Sequence, residues 1–321
     1  MGPPEAALVA MRERLSNINR YPDTTRVLES KIAAAHKVAP DQVIAGCGSS
    51  EILRMVCDAF LTSGKKLVTA TPSFPLVVFI ARGHGREVVE VPLAANGAHD
   101  LKAMLARCDS STGLVHICNP NNPTGTLTPR HEIDEFLQKL PADIPVIVDE
   151  AYHHYVGPSA PYVSLIDKPV NDKRTIVART FSKIYALAGA RVGYAVIPKE
   201  FDDKMFDERL QFGVNAMVIE GALAALDDAD HVPRAAKRNA DARREFIAQA
   251  KARGKTVNES HTNFMLLPVE RPVDEYVAHC RKNNVMVTHF RPLDNAVRVS
   301  IGRPEDMKEF WRVWDLLPNG G

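Results

Sequence analysis

Seven short runs of β-branched and apolar residues, separated by amphipathic stretches, constrain the fold of this chain more than any other feature. The runs are Val43–Ala45, Lys66–Ala70, Glu87–Val91, Leu114–Cys118, Val146–Val148, Thr175–Ala178 and Tyr194–Ile197. Several are apolar at nearly every position. Strands buried on both faces of a mostly parallel sheet read this way. Within Ser49–Leu61, residues Ile52, Leu53, Val56, Ala59 and Phe60 recur at helical spacing. Arg130–Leu140 reads as a second helix, opened by Pro129, whose missing N–H has no helical partner to lose at that position. Strands alternating with helices predict a three-layer α/β/α domain with a mostly parallel seven-stranded sheet and right-handed crossovers.

After about residue 200 the pattern changes. Phe201–Lys251 is charged, alanine-rich and helical in period. Three strand candidates follow, Asn263–Leu267, Val285–His289 and Ala296–Ile301, then a last helix over Glu305–Leu316. The expected organisation is a large domain at residues 21–221 and a smaller α+β domain at 222–321. Residues 1–20, with a helix over Pro4–Leu15, are expected to pack on the small domain or on a partner subunit. A length of 321 residues suits this division. The net charge of +1 argues against a nucleic-acid footprint or a polybasic membrane surface. Five cysteines without metal-ligand spacing read as reduced thiols. No apolar run is long enough to span a bilayer and no signal peptide is visible, so the expected compartment is cytoplasmic.

Four segments leave polar residues at strand ends, where open α/β sheets place their ligands. The first is Gly46-Cys47-Gly48-Ser49-Ser50-Glu51. Its N–H groups at a helix start suit a phosphate, although Ser49 or Ser50 serves equally well as an ordinary N-cap. Glu51 stands where a dinucleotide fingerprint needs glycine. The second, Asn119-Pro120-Asn121-Asn122-Pro123-Thr124-Gly125, is denser in turn residues than a plain loop requires. The third, Asp149-Glu150-Ala151-Tyr152, sets two carboxylates at a buried strand end, where they need work or partners. The fourth runs from Arg179-Thr180-Phe181-Ser182-Lys183 to Arg191. Thr180, Ser182 and Arg191 offer what a phosphate dianion needs. Together these parts suit pyridoxal 5′-phosphate, which requires a lysine amine, an acidic partner for its ring nitrogen and a phosphate cup.

The Asn119–Gly125 segment, the Asp149–Tyr152 tetrapeptide, Thr180–Lys183 and Ala186–Gly193 together resemble the fold-type I, class I/II aminotransferases. The histidinol-phosphate aminotransferase branch is the nearest, and Arg20-Tyr21-Pro22-Asp23, the Gly46–Glu51 segment and Val297–Gly302 are similar to it. The resemblance implies a transaminase with the following residue roles. Lys183 would hold the cofactor as a Schiff base and act as the proton-transfer base. Asp149 would pair with the ring nitrogen, Tyr152 and Asn122 would hydrogen-bond the ring oxygen, and Phe74 would stack on the ring. Ser49, Ser50, Thr180, Ser182 and Arg191 would bind the phosphate. Tyr21 would reach the phosphate of the partner subunit in a homodimer with shared sites. Arg298 would grip the substrate carboxylate. Strand alternation separates Arg298 and Ser300 from Val297 and Val299, and an Arg so placed needs a carboxylate, from substrate or from an internal salt bridge.

Two departures concern the substrate end. The family's Asn-rich segment before its first helix is not present ahead of Met1-Gly2-Pro3-Pro4, so an arm over the site is expected to be missing; an export signal ahead of that arm would also lie outside this chain. Thr288 stands where the branch tends to carry an Arg for a substrate phosphate. A donor other than histidinol phosphate is therefore expected. His153, His154 and Arg291 have no assigned role. The alternatives are another pyridoxal-phosphate reaction, namely a decarboxylase, an aldolase-type lyase or an oxidase, or an inactive truncated member.

Overall fold

The seven runs predicted as strands form one sheet: β1 (Val43–Gly46), β2 (Lys66–Thr71), β3 (Val88–Pro92), β4 (Thr112–Cys118), β5 (Val146–Asp149), β6 (Thr175–Thr180) and β7 (Gly193–Val196). This computed structural model describes residues 2–22, 24–169 and 173–317. Asp23 of the Arg20–Asp23 segment and residues 318–321 of the expected small domain lie outside the described residues. The strand order is β1-β7-β6-β5-β4-β2-β3. All neighbours are parallel except β7, which runs antiparallel to both β1 and β6.

Helices cover both faces. They are α1 (Glu5–Arg14), α2 (Arg26–His36), α3 (Gly48–Phe60), α4 (Leu76–Gly83), α5 (Leu101–Leu105), α6 (Arg130–Lys139), α7 (Asp202–Asp207), α8 (Ala216–Asp227), α9 (His231–Ala252), α10 (Val273–Lys282) and α11 (Pro304–Asp315). The strands alternate between two apolar layers, as pleating demands. Val146 and Val148 face one layer with α2, α6 and α8, whereas Ile147 faces the other with α3, α4 and α7. This is the expected α/β/α sandwich.

A second apolar core gathers Phe246, Met265, Val297, Val299, Phe310 and Trp314. It is built on the antiparallel pair β8 (Phe264–Pro268) and β9 (Ala296–Ser300), covered by α10 and α11. The long helix α9 has Ala235 in the first core and Phe246 and Ala250 in the second. Helix α1 packs on α8. Gly221 permits this approach, because a Cβ there would lie 2.7 Å from Met11 Cγ. Ala7 of α1 and Val218 and Ala222 of α8 belong to the first core.

One predicted strand does not form. Within Val285–His289 only Thr288 pairs, as an isolated bridge to Arg298. Two hydrogen bonds hold it: Thr288 N–H to the Arg298 carbonyl at 3.0 Å, and Arg298 N–H to the Thr288 carbonyl at 2.7 Å. Pro292 then interrupts the chain, and a proline has no N–H to continue a ladder.

Candidate active site

The ends of β4, β5 and β6 open on the α3 side of the sheet, and the loops after them carry the polar residues singled out in the sequence. Of the residues given a cofactor or substrate role above, all but Tyr21 and Arg298 line one cavity of about 170 Å³. Lys183 lies in the turn after β6, with its Nζ 5.3 Å from the Tyr152 ring centroid. Burial lowers the Lys183 pKa; Arg298 and Arg191 lower it further, and Asp149 opposes them. Asp149 ends β5 and is 2% exposed. Burial pushes its carboxyl up to about 6, against the Ala151 N–H, which donates to Oδ1 at 3.0 Å, and the nearby Lys183 charge. Burial likewise raises the Tyr152 hydroxyl, although Arg298 pulls it down.

The other end of the cavity is the N-terminus of α3. Ser49 and Ser50 lie in its first turn, where free N–H groups favour an anion. Arg191 Nη2 reaches Ser50 Oγ at 3.5 Å and its Nη1 reaches Ser182 Oγ at 3.3 Å. Thr180 Oγ1 accepts from the Ser182 N–H at 3.0 Å, fixing the turn that leads to Lys183. Gly48 has φ +76°, and a Cβ there would sit 2.8 Å from Arg191 Cζ. Only glycine leaves space for that guanidinium. Gly193 similarly lets β7 pass against the start of α3.

Arg298 reaches the same region from β9. Its Nη1 donates to Asn122 Oδ1 at 3.2 Å. Its guanidinium lies between two rings, 4.5 Å from Phe264 and 4.9 Å from Phe290. Arg298 Nε is buried without a hydrogen-bond partner among the described residues. Val297 and Val299 are buried in the second core, on the opposite side of the strand, as the alternation predicted.

Tyr21 is outside its own cavity. It is 74% exposed and packs on Phe212, with ring centroids 4.8 Å apart. His153 Nδ1 and the Tyr162 hydroxyl are 3.0 Å apart, and His154 packs edge-on to Tyr185, so both histidines lie in an aromatic cluster. Thr288 and Arg291 are exposed. Sequence reasoning missed Cys118, which lines the cavity beside Asn122. Its place as the last residue of β4 was the available signal. It also missed Phe264 and Phe290, the two rings on Arg298.

The donor set fits pyridoxal 5′-phosphate: a half-buried amine with lowered basicity, an acid for a ring nitrogen, and hydroxyls with an arginine at a helix N-terminus for a phosphate. The aminotransferase class I and II model matches residues 2–313. A histidinol-phosphate aminotransferase of Staphylococcus carnosus is 36% identical over 95% of this chain and 84% of its own length. The Bacillus subtilis histidinol-phosphate aminotransferase is 33% identical over 96% of this chain and 86% of its own. Among solved structures, a Sinorhizobium meliloti histidinol-phosphate aminotransferase in complex with pyridoxal 5′-phosphate superposes with a TM-score of 0.89. That match has 26% identity and covers 99% of this chain and 87% of that one. No helix among the described residues is long and apolar enough to cross a membrane. A match over nearly the whole chain, with a cavity chemically suited to the same cofactor, means that the chain belongs to the class I and II aminotransferases and acts as a pyridoxal-phosphate-dependent transaminase on amino-acid and 2-oxo-acid substrates.

Proposed function

We propose that Lys183, Asp149 and Arg298 carry the transamination and that histidinol phosphate is the amino donor. The observation behind the residue roles is the single cavity in which a half-buried amine, a buried carboxyl and an arginine-serine cup meet. When bound, pyridoxal phosphate supplies an aldehyde that condenses with amines and a ring that withdraws electrons from the substrate Cα. Asp149 keeps a proton on the ring nitrogen, which its burial and anionic form suit once a cationic partner is present. Lys183 Nζ would take the proton from the substrate Cα and deliver it to the cofactor's C4′, so that the amino group ends on the cofactor. Its lowered basicity favours the free-amine form needed for that task. Ser49, Ser50, Thr180, Ser182 and Arg191 bind the phosphate, and Phe74 covers one ring face.

Asn122 accepts from Arg298 through Oδ1, so its amide N–H groups remain to donate to the ring oxygen alongside Tyr152. Arg298 binds the carboxylate of the 2-oxo acid. Cation–π contact with the two rings restrains its guanidinium, which suits a bidentate pair.

We further infer a homodimer in which Tyr21 completes the partner's phosphate cup. Tyr21, Phe206, Leu210 and Phe212 are all more than half exposed. They adjoin the cup, since the Leu210 N–H donates to Glu51 Oε1 in the first turn of α3 at 2.8 Å. Arg191 itself is open to solvent.

Histidinol phosphate as donor is supported by the names of the relatives at 33% and 36% identity. A second reading, a neutral or aromatic amino acid, is favoured by the uncharged Thr288 at the expected phosphate-gripping position. A donor panel read by the loss of the cofactor's aldehyde absorbance decides between them. The first reading expects histidinol phosphate to exceed every other donor in kcat/KM by at least about tenfold. A neutral amino acid that matches or exceeds it overturns that reading and establishes the second.

A further inference from the structure

Asp149 and Thr180 close β5 and β6 and face the α3 side, where the cavity lies. The residue after Asp149 is Glu150, and the residue before Thr180 is Arg179. Strand alternation sends both to the opposite side of the sheet. There Arg179 Nε and Nη2 donate to Glu150 Oε2 at 3.1 and 3.0 Å. The side chains are 3% and 1% exposed. Ser164 Oγ donates to the same carboxylate oxygen at 2.7 Å, and the Leu165 N–H donates to Oε1 at 3.0 Å. Arg179 Nη2 also donates to Ser164 Oγ at 2.6 Å. Tyr194 is the cross-strand neighbour of Arg179 on β7.

Burying two charges is expensive, and apolar residues of the same volume are often as stable or more so. Stability therefore does not explain this pair. Geometry does. The backbone ladder between β5 and β6 ends at the Glu150 N–H to Ala178 carbonyl bond of 2.9 Å. Beyond it, the Asp149 side chain and the turn from Thr180 to Lys183 are held in relation to one another by side chains. The Glu150–Arg179 contact is the direct cross-link, one residue from each.

We propose that Glu150 and Arg179 are positioning residues for the transamination, a clamp behind the sheet that fixes the separation of Asp149 from the Lys183 turn. This rests on the cavity roles proposed above. The clamp sets distance and angle at the cofactor while touching neither cofactor nor substrate. It also accounts for the second carboxylate at this strand end, which the reaction itself does not use.

The test compares wild type, Glu150→Gln, the apolar double variant Glu150→Leu/Arg179→Met, and Lys183→Ala as a control. Four quantities are measured: the Tm of the cofactor-free protein, pyridoxal phosphate affinity by fluorescence titration, the pH midpoint of the bound cofactor's colour change, and kcat and KM separately. The clamp predicts that the double variant keeps its Tm within a few degrees, yet binds the cofactor about tenfold more weakly. Its colour-change midpoint should move, and kcat should fall about 100-fold at nearly unchanged donor KM. A double variant with normal Tm, affinity, midpoint and kcat overturns the proposal. If the double variant does not fold, Glu150→Gln decides, because it keeps the shape but removes the charge and sets an NH2 donor against either the Arg179 guanidinium or the Leu165 N–H. Wild-type midpoint and kcat in that variant overturn the clamp equally. Lys183→Ala separates this failure from that of the cavity roles: an active Lys183→Ala protein defeats those roles, whereas a dead one beside a normal double variant defeats the clamp alone.

Discussion

Asp149 carries a testable electrostatic signature before any cofactor is bound. Its carboxyl titrates near 6 when folded and near the ordinary 3.8 when unfolded. Between those values the folded chain binds more protons. The contribution of Asp149 is therefore fully present below about pH 4 and is lost as pH rises through about 6, by roughly 3 kcal/mol in all. Cofactor-free Asp149→Asn protein should lack this dependence. Urea unfolding of both proteins at about pH 5 and about pH 7.5 should show the variant gaining on wild type at the higher pH. A stability difference that does not change with pH would remove the basis for a raised carboxyl. The candidate residues at this scale were legible because each sits in a dense polar motif immediately after a buried strand. Phe264 and Phe290 were not. Phe264, in the short strand β8, reads as core, Phe290 lies just past the predicted strand Val285–His289, and no spacing tells which guanidinium 34 or 8 residues onward will lie across either ring.

Helix α3 and strand β7 meet at Gly193, and the phosphate cup depends on how closely they do. A Cβ at Gly193 would strike the Ser49 nitrogen and sit 2.8 Å from the Gly48 carbonyl carbon. Both obstacles are backbone, so the helix start itself has to move. Gly193→Ala should weaken pyridoxal phosphate binding by at least about tenfold and destabilise the protein by about 1–3 kcal/mol. Titration and thermal melts check this, and an alanine variant with wild-type affinity would show that the close approach is unnecessary. The seven strands of the large sheet were legible as elements because burial on both faces leaves β-branched runs with little else in them. The Val285–His289 segment has the same composition but forms only one bridge, since pairing needs a free neighbouring edge and an uninterrupted chain, neither visible in the run itself. The helical stretch from Phe201 to Lys251 resolved into α7, α8 and α9, divided at Gly213-Val214-Asn215 and at Asp228-Ala229-Asp230. The Asn215 side chain caps α8 by accepting the Val218 N–H at 3.0 Å.

At the scale of the whole molecule, the exposed patch of Tyr21, Phe206, Leu210 and Phe212 flanks a cavity of about 360 Å³ lined in part by Pro22, Thr25 and Arg209. A second copy seated there would stand beside the open cup. Tyr21→Phe and Lys183→Ala subunits should each be impaired alone. In a mixture, heterodimers should restore wild-type cofactor affinity at about a quarter of all sites, where an intact Lys183 meets the intact Tyr21 of its neighbour. Absence of recovery, or an active species that sediments as a monomer, rules out the shared site. The two cores divide the remaining labour. Lys183, Asp149 and the phosphate cup belong to the first core, whereas Arg298 and Thr288 are held by β9 beside the second. The Arg298 side chain crosses between the two with its hydrogen bond to Asn122. On the roles proposed above, Arg298 would join the two, while the groups that move the proton and the Thr288 position would sit on different cores. Substitutions along the β9 edge other than at Arg298 would then change which molecules are accepted without touching the groups proposed to move the proton, so one scaffold could diverge in diet while its reaction stays the same.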